Sequence, residues 1–130
     1  MTGEDKIFAN TLFIKDLEAS ELFYREVFDK TPIYKDKVSI VFQFGELLLN
    51  FLLEKEAEDL ISPRKVAPEI HGSRFQLTIQ VVDVDTQAKR LHALGIPLIN
   101  GPMDRPWGIR TLLFSDPNGH LWEFAHEITQ

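Results

Sequence analysis

The feature that most constrains this chain is that it matches itself. Displaced by 67 positions, the sequence sets Thr11, Leu12, Ile14, Asp16 and Leu17 on Thr78, Ile79, Val81, Asp83 and Val84. Towards the end of each half, Phe44-Gly45 and Asn50-Phe51 fall on Phe114-Ser115 and Glu123-Phe124, with three extra residues in the second turn. Few residues are identical, but the order of segments is kept, as it is in a duplicated supersecondary unit. A chain of 130 residues is then one domain of ordinary size or two joined half-domains. At that length about two-thirds of the unfolded surface can be buried, enough for a true core.

Hydrophobic periodicity assigns the same elements to both halves. Residues 7–14 read as a strand and 16–28 as a helix, with Leu17, Phe23, Tyr24, Val27 and Phe28 at helical spacing and Thr31-Pro32 as its stop. Asp16 is placed to cap that helix, because its short carboxylate can accept from the free N–H groups of the first turn. A short strand is expected near residues 32–35, then strands over 38–44 and 47–53 joined by a tight turn at Gly45-Glu46. Residues 54–73 carry charges, two prolines and a glycine without a sustained period, and read as a linker. The plan then repeats: strand 74–82, helix 83–94 closed by Gly95, strands 96–100 and 109–114, an Asp116-Pro117-Asn118-Gly119 turn, and a last strand 120–126.

The expected fold class is therefore α+β, in one domain spanning 1–130 with module one at about 6–54, a linker at about 55–73 and module two at about 74–128. Along residues 74–81 the apolar set is Phe75, Leu77, Ile79 and Val81, and the other face carries Arg74, Gln76, Thr78 and Gln80. The apolar face should meet the helix. The polar face then looks either into bulk water or into a ligand cavity.

Composition removes several classes of chemistry. With no cysteine there is no disulfide, thiolate metal site or Cys nucleophile, so a metal would need His, Asp, Glu, Gln or Asn. A net charge of −6 disfavours nucleic acid and anionic membrane as partners and mildly favours neutral or cationic small ligands. The 44% hydrophobic and 26% charged composition is that of a globular protein, and no apolar run approaches the roughly 20 residues that cross a bilayer. A polar start without a signal-peptide pattern predicts a cytoplasmic location. There is no Gly-rich phosphate loop, Gly-x-Ser-x-Gly elbow or His-Glu-x-x-His, which argues against nucleotide binding and serine hydrolysis. His71, His92, His120 and His126 are scattered and are read as mostly solvated.

Two segments carry a family resemblance. The run from Ala9 through Val-like Ile14, Asp16-Leu17, Ser20 and Phe23-Tyr24 resembles the first strand and helix of the vicinal-oxygen-chelate superfamily of glyoxalases, bleomycin-resistance proteins and extradiol dioxygenases. Phe114-Ser115-Asp116-Pro117-Asn118-Gly119, followed by Glu123-Phe124, is similar to its characteristic closing strand. The resemblance covers nearly the whole chain and implies paired βαβββ modules in an open, U-shaped mixed sheet around a cavity, helices outside, usually completed in a homodimer. It also implies metal-ligand positions on the first and last strands of each module. These fall on Ala9, seven residues before Asp16; Gln76, seven before Asp83; and Asn50 and Glu123. Ala9 has no donor, Asn50 and Gln76 offer neutral amide oxygens, and Glu123 is the one anion, so no tightly bound metal cofactor is expected.

Glu123 then needs a cation or a proton to accept, and Arg74 and Arg110 are its candidate internal partners; alternatively it is a hydrogen-bonded remnant. Arg105-Pro106-Trp107-Gly108-Ile109-Arg110 resembles a segment of bleomycin-resistance-like members, in which the tryptophan is similar to a lid over the pocket; a plain turn filling a dimer seam is the other reading. Trp122, one residue from Glu123, should face the helix side, and Phe13, Phe42, Phe44 and Phe51 could line a cavity or simply pack. The leading expectation is a metal-independent, dimeric protein that binds an aromatic or cationic small molecule, with Trp107, Arg110, Gln76, Asn50 and Glu123 lining the pocket. The alternative is a glyoxalase-like lyase, isomerase or dioxygenase using a divalent metal, with Glu123 the catalytic candidate; a collapsed interaction module is a third reading.

Overall fold

The computed structural model describes residues 6–128. Among them the elements run β1 (Ala9–Ile14), α1 (Leu17–Phe28), β2 (Tyr34–Lys35), β3 (Ser39–Phe44), β4 (Leu47–Leu53), α2 (Glu54–Ile61), a 3₁₀ turn (Glu69–His71), β5 (Gln76–Gln80), α3 (Val84–Ala93), β6 (Leu98–Asp104), β7 (Ile109–Ser115) and β8 (Leu121–Glu127). They form two four-stranded mixed sheets of identical order, β1-β4-β3-β2 and β5-β8-β7-β6. In each, the first strand runs parallel to the last, which demands a helical crossover, while the later strands pair antiparallel through short turns. These are two tandem βαβββ modules.

Register makes the duplication a matter of residues. Asn50 on β4 stands between Thr11 and Val41, and Glu123 on β8 stands between Thr78 and Leu113. The pairs that the sequence sets on one another, Thr11 with Thr78 and Asn50 with Glu123, therefore hold the same place in their sheets.

In module one, alternation sends Leu12, Ile14, Ile40, Phe42, Leu49 and Phe51 to the helix side, where all are buried. Tyr24 of α1 packs among them, 4.4 Å from the Phe51 ring and 5.6 Å, stacked, from Phe28. Phe42 and Phe51 are thus core residues, and Phe44 closes edge-on against Phe28 at 5.2 Å. In module two Val84 and Leu91 of α3 cover Leu112, Phe114, Trp122 and Phe124, all buried, with Phe114 and Phe124 edge-on at 5.0 Å. Trp122 lies in the core, as its parity requires.

Both module helices begin on an aspartate. Asp16 Oδ1 accepts from the Ala19 N–H at 3.2 Å, and Asp83 accepts from the Asp85 N–H at 3.1 Å and the Thr86 hydroxyl at 2.7 Å. The Thr86 hydroxyl, ahead of the backbone donor, holds the Asp83 carboxyl below its ordinary value. His126 completes the start of α3, its Nδ1 accepting from the Val84 N–H at 2.9 Å, so this half-buried histidine is a cap and not a solvated residue.

The expected linker is the main correction. Residues 54–61 form α2, directly continuous with β4, and Ala57 is fully buried beneath it. The Glu58 carboxylate then turns the chain back by accepting from the Val66 N–H at 3.1 Å. The compact units divide between Ala67 and Pro68, so α2 belongs to the first module and the 3₁₀ turn to the second. Two turns of helix with apolar positions only at Ala57, Leu60 and Ile61 are too short for a period to show against Pro63 and Pro68. β6 also extends beyond its expected end at 100, reaching Asp104 through register shifts on either side of Asn100.

Candidate functional site

Each sheet has one face packed on its helix and one face turned away from it, the open face. On the open face of module two, β8 presents Leu121, Glu123, Ala125 and, at its end, Glu127, β5 presents Gln76, Thr78 and Gln80, and β7 presents Ile109, Thr111 and Leu113. Glu123 is central and half-buried. The Thr78 hydroxyl donates to Glu123 Oε1 at 3.0 Å, and among the described residues no cation pairs with this carboxylate. Gln76 stands one pair along, opposite Leu121, on the same face and exposed. On the open face of module one, Asn50 lies opposite Thr11 and Ala9 opposite Leu48.

Arg110 is elsewhere. It shares the parity of Leu112 and Phe114, the helix side, and there its Nε and Nη2 clasp the two oxygens of Asp85 at 3.0 Å each, while Nη1 reaches Asp104 at 2.8 Å. Asp85 first, then Asp104, hold its guanidinium charged well above the ordinary range. The expected pairing of Arg110 with Glu123 is therefore absent, and its place is to tie the first turn of α3 to the β6–β7 hairpin. Arg74 lies exposed before β5 and likewise makes no ion pair with Glu123. Trp107, 68% exposed, projects from the turn of that hairpin, where Gly108 with φ 89° donates to the Arg105 carbonyl at 3.0 Å.

Sequence reasoning missed Arg105, Thr111 and Asn100. Arg105 Nε donates to Thr111 Oγ1 at 2.9 Å and Nη2 to Asn100 Oδ1 at 3.2 Å. Asn100 is opposite Leu113, itself opposite Glu123, so this group belongs to the same face. The signal available was the motif surrounding Trp107, in which Arg105 stands two residues before the tryptophan.

The positions implied for a divalent metal do not fit one. Glu123 is a lone anion, Thr78 occupies one of its oxygens, Gln76 and Asn50 carry only amide oxygens, and Ala9 has no donor. Among the described residues no three His, Cys, Asp or Glu gather. Asp116, the buried acid of the β7–β8 turn, is spent on structure, its Oδ1 accepting from the N–H groups of Asn118 at 2.8 Å and His120 at 2.9 Å.

A model of the Glyoxalase/Bleomycin resistance protein/Dioxygenase superfamily matches residues 6–124. The chain belongs to that superfamily. Among curated relatives it is similar to the metallothiol transferase FosB of Bacillus licheniformis, 30% identical over 112 residues that make 85% of this chain and 68% of the relative. Among solved structures it resembles a glyoxalase/bleomycin resistance protein/dioxygenase from Nocardioides, with a TM-score of 0.85, 24% identity and coverage of 98% and 87% of the two chains. A glyoxalase-related enzyme from Fulvimarina pelagi gives 0.84 at 27% identity, covering 95% and 89%. Lactoylglutathione lyase from Agrobacterium tumefaciens gives 0.72 at 25% identity, covering 95% of each chain. No helix among the described residues is long and apolar enough to cross a membrane.

Proposed function

We propose that this superfamily member is a metal-independent small-molecule-binding protein, cytoplasmic and homodimeric, that holds its ligand on the open face of module two without breaking a bond in it. The observation that carries the reading is Glu123: a half-buried carboxylate with a neutral hydroxyl as its partner and no cation paired with it among the described residues. Such a group is stabilised by a ligand that brings a cation or a strong hydrogen-bond donor to it. Trp107 adds an exposed aromatic face for a flat molecule, and Gln76 an amide beside the carboxylate. Asn50 is the corresponding polar position of module one.

The test is thermal unfolding in the presence of flat aromatic amines and amidines, since a ligand that binds only the native state raises the melting temperature. Wild type should be stabilised, Glu123→Gln should lose most of that gain with its unliganded stability intact, and Trp107→Ala should lose part of it. Stabilisation unchanged in both variants would contradict the proposal.

A second reading is a metal-dependent lyase, isomerase or dioxygenase. Its support is the 30% identity to a protein named a metallothiol transferase. The donor set of this chain speaks against it, and measuring metal content separates the two.

A further inference from the structure

Arg105 is the cation anchored on the open face of module two, where β8 also places the carboxylates of Glu123 and Glu127, and its hydrogen bonding is unlike that of Arg110. Arg110 is neutralised by two carboxylates. Arg105 is half-buried, pairs with no carboxylate among the described residues, and rests on two neutral oxygens. Thr111, which supplies one of them from the central strand β7, is fully buried, so that anchor is held in place. The bonds to Thr111 and Asn100 both use the Nε–Nη2 edge of the guanidinium. Of the five N–H donors an arginine carries, three are left, two of them side by side on the Nη1–Nη2 edge. A planar fork locked along one edge and open along the other is arranged to take an oxyanion through two parallel hydrogen bonds.

Its distance from Glu123 follows from the register. Asn100 lies opposite Leu113 and Leu113 opposite Glu123, so the Asn100 anchor of Arg105 is two strands from the carboxylate, about 10 Å between backbones, and the Thr111 anchor one strand away. Leu113 provides an apolar surface between them.

Resting on the reading of this face as a ligand site, we infer that the ligand is amphoteric: an oxyanion, carboxylate or phosphate, held by Arg105, an apolar middle over Leu113, and a cationic or donor group held by Glu123. This names a chemical class, and it makes Arg105 a binding residue that decides between ligands of similar shape.

The experiment is a titration of the whole protein, followed by two-dimensional amide NMR, with sodium acetate and with inorganic phosphate, against sodium chloride at matched ionic strength. Saturable shifts centred on Asn100, Arg105 and Thr111 are expected with acetate or phosphate but not chloride; the stronger of the two identifies the oxyanion. Arg105→Gln should weaken that binding at least tenfold, and Arg105→Lys by less, because it keeps the charge and loses the fork. Glu123→Gln should leave anion binding intact or tighter while removing the response to aromatic amines. Absence of saturable shifts, or shifts unchanged in Arg105→Gln, overturns the inference even where the amines still bind through Glu123. Anion binding without any amine response overturns the Glu123 reading and the amphoteric ligand with it.

Discussion

Two arginines five positions apart show what decides the role of a single residue here. Arg110 was legible as a charged neighbour of Trp107, but its use depends on strand parity, and parity places it with Leu112 and Phe114, against Asp85. Arg105, named in the same motif, was given no role because its side chain folds back from a turn, where alternation gives no guidance. Local hydrogen bonds also shift a carboxyl of module one. The Tyr34 hydroxyl, 2.7 Å from Asp36, together with the N–H groups of Val38 and Ser39, lowers the Asp36 carboxyl to about 2. A carboxyl lowered on folding adds stability above its unfolded value of about 3.9, and that contribution disappears as pH falls through the folded value. Wild type should therefore exceed Asp36→Asn in stability at neutral pH by a small margin, as befits an exposed group, and the two should converge as pH drops from about 4 towards 2. Urea midpoints measured across that range check it; a gap that widens towards pH 2 would contradict it.

At the scale of elements, β4 was legible to the residue and most others to within one or two, because Asp16, Asp83 and the alternating apolar positions mark their own boundaries. What escaped was α2, whose two turns contain too few apolar residues to outweigh the prolines that follow. Its packing gives a direct test. Ala57 is fully buried, so Ala57→Leu should overfill the space beneath α2 and cost about 1–3 kcal/mol by denaturant unfolding. A solvated linker position would tolerate the same change within about 0.5 kcal/mol. His126 was missed for a related reason: its role as an acceptor for the first N–H of α3 joins residues 42 positions apart, beyond any local pattern.

For the molecule as a whole, duplication fixed the fold, while divergence between the copies shaped the site. The two modules keep the same strand order and the same threonine opposite the central last-strand residue, yet one copy has Ala9 and Asn50 where the other has Gln76 and Glu123. Shared positions carry packing and so could be read by sliding the chain on itself. The differences fall at the positions implied for metal ligands: module one has a methyl group and an amide there, and module two an amide and one anion, types that serve zinc, nickel or iron poorly. The proposed function requires that ligand binding here needs no metal. The most direct measurement is elemental analysis of the purified protein before and after chelator dialysis, followed by thermal unfolding as nickel, zinc, manganese and iron are restored. Substoichiometric metal is expected throughout, with a melting temperature that neither chelation nor any of the four metals moves. One equivalent of bound metal, lost on chelation together with stability and recovered on re-addition, would contradict it.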